Sequence, residues 1–171
     1  MGNLLAVANE KGNEIKIYSC LSGDSLRCLY RGMEKAEINY ICFDKFSNYL
    51  AVSSDRGTIH IWSMKGIFQQ LIDINKKNSN DFFIDIEKND EDKIKNEIKD
   101  NNKLPKNKTS FFSKNEKSFA RIKLQANKSI CSFQENNIII AITYDGKYYQ
   151  AQLDTKIGGH CQIMGEIDLK I

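Results

Sequence analysis

Few residues in this 171-residue chain could do covalent chemistry. There are two histidines, His60 and His160, and five cysteines, Cys20, Cys28, Cys42, Cys131 and Cys161. No two cysteines form a CxxC pair, and the histidines have no metal-ligand spacing. No glycine-rich phosphate loop opens a helix, and nothing in the spacing positions a Cys–His nucleophile pair. An enzyme is therefore not expected, nor are metal or cofactors. With no signal peptide in view, the cysteines read as reduced, mostly buried thiols of a cytoplasmic protein. Met1-Gly2 opens like an acylation signal, but Ala6 stands where Ser or Thr is needed. The 25 basic and 22 acidic residues leave a net charge of +3. There is no basic stripe to carry nucleic acid, and no apolar run reaches the ~20 residues of a spanning helix.

The elements that position these residues are short apolar runs, each ended by Gly, Asp, Ser or Asn. Strands are expected at Leu4–Ala8, Glu14–Ser19, Ser25–Tyr30, Ile38–Phe43, Tyr49–Ser53 and Thr58–Met64. Five more follow at Ser118–Leu124, Ile130–Phe133, Ile138–Thr143, Lys147–Leu153 and Cys161–Ile167. Helical periodicity is visible only over Ile67–Ile74. Residues 75–117 differ in kind: 29 of these 43 are Lys, Asp, Glu or Asn. Such a stretch buries too little apolar area to offset its ordering entropy, so a disordered insertion is expected there. The chain thus divides into 1–74, the insertion 75–117, and 118–171.

An internal repeat sharpens the fold. LLAVANEKGNEIKIYS, YLAVSSDRGTIHIWSM and IIIAITYDGKYYQAQLD share one pattern of strand, small residues, Gly-bearing turn and strand. Ala6 and Ala51 are 45 residues apart, and Ala51 and Ala141 are 90 apart. A period of ~40–45 with four strands per unit is the mark of a β-propeller. The expected fold is all-β: a partial propeller of about three WD-type blades, the first without its opening strand. Three blades do not close a ring, so the chain reads as the C-terminal part of a longer propeller.

Two segments carry a family resemblance: Leu29-Tyr30-Arg31-Gly32, and Ser53-Ser54-Asp55-Arg56-Gly57-Thr58-Ile59-His60-Ile61-Trp62. They resemble the [F/L]-R-R-G motif and the S-S-D-x-G-T-x-H-I-[F/W] stretch of the PROPPIN family, the phosphoinositide-binding propellers of autophagy. The resemblance implies a seven-bladed propeller with two head-group sites at its rim. These take phosphatidylinositol 3-phosphate and the 3,5-bisphosphate, and a long loop in the sixth blade dips into the bilayer. It implies binding without a reaction, on phosphoinositide-containing membranes, with autophagy proteins as partners of the full-length family through blades expected to be missing from this chain. The cytoplasmic chain would sit peripherally on endosomal, vacuolar or autophagosomal membranes.

Carried over residue by residue, the second site is intact. Arg31 supplies a guanidinium fork for phosphate oxygens, Ser54 and Thr58 supply hydroxyls, and His60 adds a donor. The first site is degraded. Tyr30 replaces an arginine, Asn9 and Asn13 replace Ser and Thr, and Lys16 replaces an arginine. Losing one charge-assisted bond of ~1.5–3 kcal/mol weakens binding roughly ten- to hundredfold. The insertion falls where the family has its membrane loop, with Phe111 and Phe112 as candidates for insertion. Blander roles stand beside these. His60 can be a plain strand residue, Arg31 can pair with a carboxylate such as Glu34, and Ser54–Gly57 is ordinary turn chemistry. The 75–117 stretch can be a solvated loop, and the whole chain a WD-type scaffold that only docks proteins.

Overall fold

A computed structural model describes residues 2–74, 76 and 116–169. Strands β1 (Leu4–Ala8), β2 (Glu14–Ser19) and β3 (Ser25–Tyr30) form an antiparallel meander, as do β4 (Ile38–Phe43), β5 (Tyr49–Ser54) and β6 (Thr58–Ser63). Residues 67–74 form helix α1. The chain re-enters at β7 (Glu116–Lys117), continues through β8 (Ala120–Lys123), and builds β9 (Ser129–Phe133), β10 (Ile138–Thr143) and β11 (Lys147–Gln152). It ends with β12 (Gly159–His160) and β13 (Gln162–Asp168). Three sheets result, in the orders β1-β2-β3-β7, β12-β8-β6-β5-β4 and β13-β11-β10-β9.

Each sheet is explained by alternation. In β2, Ile15 and Ile17 are fully buried while Lys16 between them is exposed, as a strand covered on one face requires. The first and second sheets close over Ile15, Ile17, Leu29, Leu50, Val52 and Trp62. The second and third close over Ile59, Ile61, Ile122, Ile139, Tyr149 and Leu153. The repeat is real in space. Ala6 pairs with Ile17, Ala51 with Ile61 and Ala141 with Tyr149, so the three alanines hold equivalent places in β1, β5 and β10. Among the described residues the first sheet has no strand matching β4 or β9, and β1 is its edge.

The structure departs from the expected eleven antiparallel strands at two places. The segment expected as one strand from Ser118 begins at Ala120, preceded by the separate β7, which runs parallel to β3. The last expected strand is preceded by β12, which runs parallel to β8. Each is two residues long, too short for any alternation to show in sequence. Both do one job: the segment leading to a sheet's outer strand first pairs with the outer strand of the sheet before it. Helix α1 turns its apolar stripe inward, with Ile67 fully buried and Leu71 nearly so in the core of the first two sheets. It therefore packs on the propeller. Phe111 and Phe112 lie outside the described residues.

Candidate functional site

The site grows from the end of β3. Arg31 follows the last β3 residue, and its amide donates to the Asn13 carbonyl (2.8 Å). Its guanidinium turns back: Nε donates to the Gly12 carbonyl (2.6 Å) and Nη2 to the Glu34 carbonyl (2.5 Å). Gly12 can play this part because it has no side chain. Its φ is +62°, and a Cβ there would stand 2.0 Å from the Ala36 carbonyl oxygen. The expected alternative partner for Arg31, the Glu34 carboxylate, faces Arg56 instead at 3.9 Å. Arg56 also meets Asp55 at 3.9 Å and donates to the Lys35 carbonyl through Nε and Nη2 (3.1 and 2.8 Å). Arg31 is thus fixed by two backbone oxygens, and its Nη1 has no hydrogen bond among the described residues. Burial presses its pKa down, Arg56 presses the same way, and Asp55, Glu34 and Tyr30 oppose. It stays charged, as guanidinium does in proteins.

His60 lies on β6 directly opposite Arg121 of β8. Its Nδ1 is 3.2 Å from the Ser118 hydroxyl, and its ring stacks on Trp62 at 5.7 Å. Burial, with Arg31 and then Arg121 adding like charge, holds the imidazole at about pKa 4. Its neutral form is therefore the one present at pH 7. His160, opposite Arg121 on the other side, accepts a hydrogen bond from Arg121 Nε at 3.1 Å. The result is a row of His60, Arg121 and His160, with the Arg31 charge near enough to act on the imidazole. The β7–β8 link supplies two members of this neighbourhood, since Ser118 touches His60 and Lys117 pairs with Tyr30.

Thr58 starts β6, two residues from His60 and half-buried. Ser54 is buried at the end of β5, where its Oγ accepts the Arg56 amide (3.4 Å) and so shapes the turn carrying Arg56. That turn closes with Gly57 N–H donating to the Ser54 carbonyl (3.4 Å). The turn role foreseen for Ser54–Gly57 is present. A cleft of about 430 Å³ beside it is lined by Glu10, Glu37 and Asp55 against Lys35 and Arg56, a mixed lining unsuited to an anion.

The residues of the first site are placed differently. Asn9 Nδ2 donates to Asn13 Oδ1 (2.7 Å), and Asn9 Oδ1 accepts from the amides of Asn13 and Glu14 (3.1 and 3.3 Å). Both asparagine side chains are engaged in their own turn. Tyr30 sits opposite Glu14, and Lys16 opposite Cys28. That face carries Lys16 and Lys117 with the Glu14 carboxylate and, among the described residues, no guanidinium.

Arg121 and Ser118 were not expected. Their only signal is weak: Ala120-Arg121-Ile122-Lys123 alternates, which places Arg121 on the open face. Its neighbour His60 is 61 residues away across the insertion, and only strand pairing joins them.

Three stacked meanders define a partial β-propeller. The PROPPIN family model matches residues 1–169. The chain belongs to the PROPPIN family. It is 28% identical over 159 residues to autophagy-related protein 18e of Arabidopsis thaliana, covering 92% of this chain and 36% of that protein. It is 28% identical to autophagy-related protein 18 of Dictyostelium discoideum, covering 98% of this chain and 45% of that one. The solved Kluyveromyces lactis Hsv2p superposes with a TM-score of 0.65 at 13% identity, over 99% of this chain and 45% of Hsv2p. KlAtg21 in complex with the coiled-coil of AgAtg16 superposes with a TM-score of 0.63 at 19% identity, over 99% of this chain and 39% of that one. The chain spans less than half the length of these relatives.

Proposed function

We propose that this chain is a phosphoinositide-binding propeller module, recruited to phosphatidylinositol 3-phosphate on membranes, with the 3,5-bisphosphate as a further ligand. It acts as an autophagy effector and catalyses no reaction. One observation carries this most: Arg31 is anchored by two carbonyls beside a neutral His60 and a second guanidinium, Arg121. Neither guanidinium pairs with a carboxylate among the described residues, so an incoming dianion is favoured, and each adds a charge-assisted bond. In the neutral tautomer whose Nδ1 accepts from the Ser118 hydroxyl, His60 offers its Nε2–H as a donor. Thr58 adds a hydroxyl from the same strand. The chain returning from residues 77–115 enters at Glu116–Lys117 beside Tyr30 and Arg31. Family membership supports peripheral association with endosomal, vacuolar or autophagosomal membranes from the cytoplasm. The solved KlAtg21 complex supports protein partners of the autophagy machinery.

Liposome flotation tests this. The chain should float with vesicles holding phosphatidylinositol 3-phosphate and stay behind with phosphatidylinositol alone. Arg31→Ala and Arg121→Gln should each lose about tenfold or more. A thermal melt of each variant separates lost binding from lost fold. Arg121→Gln matters most, because no backbone carbonyl depends on Arg121 in the way Gly12 and Glu34 depend on Arg31. Equal flotation of wild type and both folded variants would overturn the proposal.

A further inference from the structure

Two cysteines face each other at the inner edges of successive sheets. Cys42 on β4 pairs with Ala51, and Cys131 on β9 pairs with Ala141, so the two hold equivalent places in the repeat. β4 and β9 are the edge strands of their sheets and pack against one another. Cys131 is 4% exposed within the core between the second and third sheets, and Cys42 packs against that same core from the other side. The Cys42 thiol donates to the Cys131 carbonyl across 3.4 Å. The nearness of the two side chains lowers the pKa of Cys42, and the same neighbour together with burial raises that of Cys131. Cys42 is half-buried and so reachable by a small oxidant. Cys20, Cys28 and Cys161 have no thiol partner among the described residues.

We propose that Cys42 and Cys131 are a redox pair that closes into a reversible disulfide under peroxide, stapling the second sheet to the third. The Cys42 thiolate attacks one peroxide oxygen and the O–O bond breaks. Cys42 becomes a sulfenic acid, and the other oxygen leaves as hydroxide, which takes up the proton the Cys42 thiol released and becomes water. The Cys131 sulfur then displaces the sulfenic oxygen, which takes up the Cys131 proton and leaves as a second water. Two thiols lose two electrons and one hydrogen peroxide becomes two waters. A small thiol such as glutathione reverses the step by exchange. The link joins strands separated in sequence by the whole 75–117 stretch. It ties the blade bearing Arg31's neighbours, His60 and Thr58, to the blade after it.

The full chain is treated with hydrogen peroxide, alkylated with N-ethylmaleimide, digested without reductant and mapped by mass spectrometry. The expected product is a Cys42–Cys131 linked peptide, with two of the five alkylatable thiols lost and both restored by dithiothreitol. The oxidised chain should melt roughly 5–15 °C higher. Cys42→Ser should give no linked peptide and leave Cys131 alkylatable. A Cys20→Ser, Cys28→Ser, Cys161→Ser triple variant should still form the link, so the result does not depend on one variant folding. Recovery of both Cys42 and Cys131 as alkylated thiols, while another cysteine is oxidised, would overturn the proposal. So would oxidation of Cys42 beyond sulfenic acid with no link to Cys131.

Discussion

His60 is the sharpest probe of the rim. Its imidazole is held at about 4 against an ordinary 6.5, by burial first and by Arg31 and Arg121 after it. The folded state thus disfavours a proton that the unfolded chain accepts below 6.5. Stability from this group is complete above that value, falls as pH drops from 6.5 toward 4, and levels off below. The full shift corresponds to about 3 kcal/mol. By pH 5 about 2 kcal/mol of it is lost, and solvent at the half-buried ring reduces that to about 1–2 kcal/mol. Urea unfolding at pH 7 and pH 5 measures the loss, and His60→Gln should remove it. NMR titration reads the same group directly, and the chain has only two histidines to assign. The His60 midpoint should rise in Arg31→Ala and in Arg121→Gln, as each removes a like charge. It should rise further when a phosphomonoester binds. A free-chain midpoint at 6.5 or above would refute the crowding of His60 by the two guanidinia. Equal pH-dependent loss in wild type and His60→Gln would refute the stability argument.

Three further outcomes follow from named contacts. Gly57→Ala should cost about 1–3 kcal/mol in urea unfolding, since φ is +67° and the new Cβ would stand 2.8 Å from the Ala126 carbonyl oxygen. Trp62→Phe should cost about 1–3 kcal/mol, because Trp62 is fully buried and its Nε1 donates to the Glu116 carbonyl at 3.1 Å. Tyr30→Arg should raise flotation on phosphatidylinositol 3-phosphate vesicles about tenfold by returning a guanidinium beside Lys16; unchanged flotation would mean the Asn9–Asn13 turn has closed that site.

The blades were legible because three stretches repeat one alternation, and Ala6, Ala51 and Ala141 mark the same place in each. The pairing partners of the outer strands were not. β7 and β12 take their conformation from the sheet edge they meet, and two residues carry no period. Arg31, Thr58 and His60 were singled out in sequence only because two separate segments, Leu29–Gly32 and Ser53–Trp62, resemble the motifs of one family. Arg121 was hidden because its pairing with His60 is made by tertiary register across a long insertion. Tyr30 shows the converse. Its substitution was plain in sequence, but the mutual hydrogen bonds of Asn9 and Asn13, and Glu14 opposite Tyr30, are visible only in the fold.

The most direct test is a two-dimensional NMR titration of the chain with a soluble inositol 1,3-bisphosphate. Saturable shifts should appear at Arg31, Thr58, His60, Ser118 and Arg121, and be absent at Asn9, Asn13 and Lys16. Shifts confined to the Asn9–Tyr30 side, or none at Arg31 and His60 in the folded chain, would contradict a phosphate site on this rim.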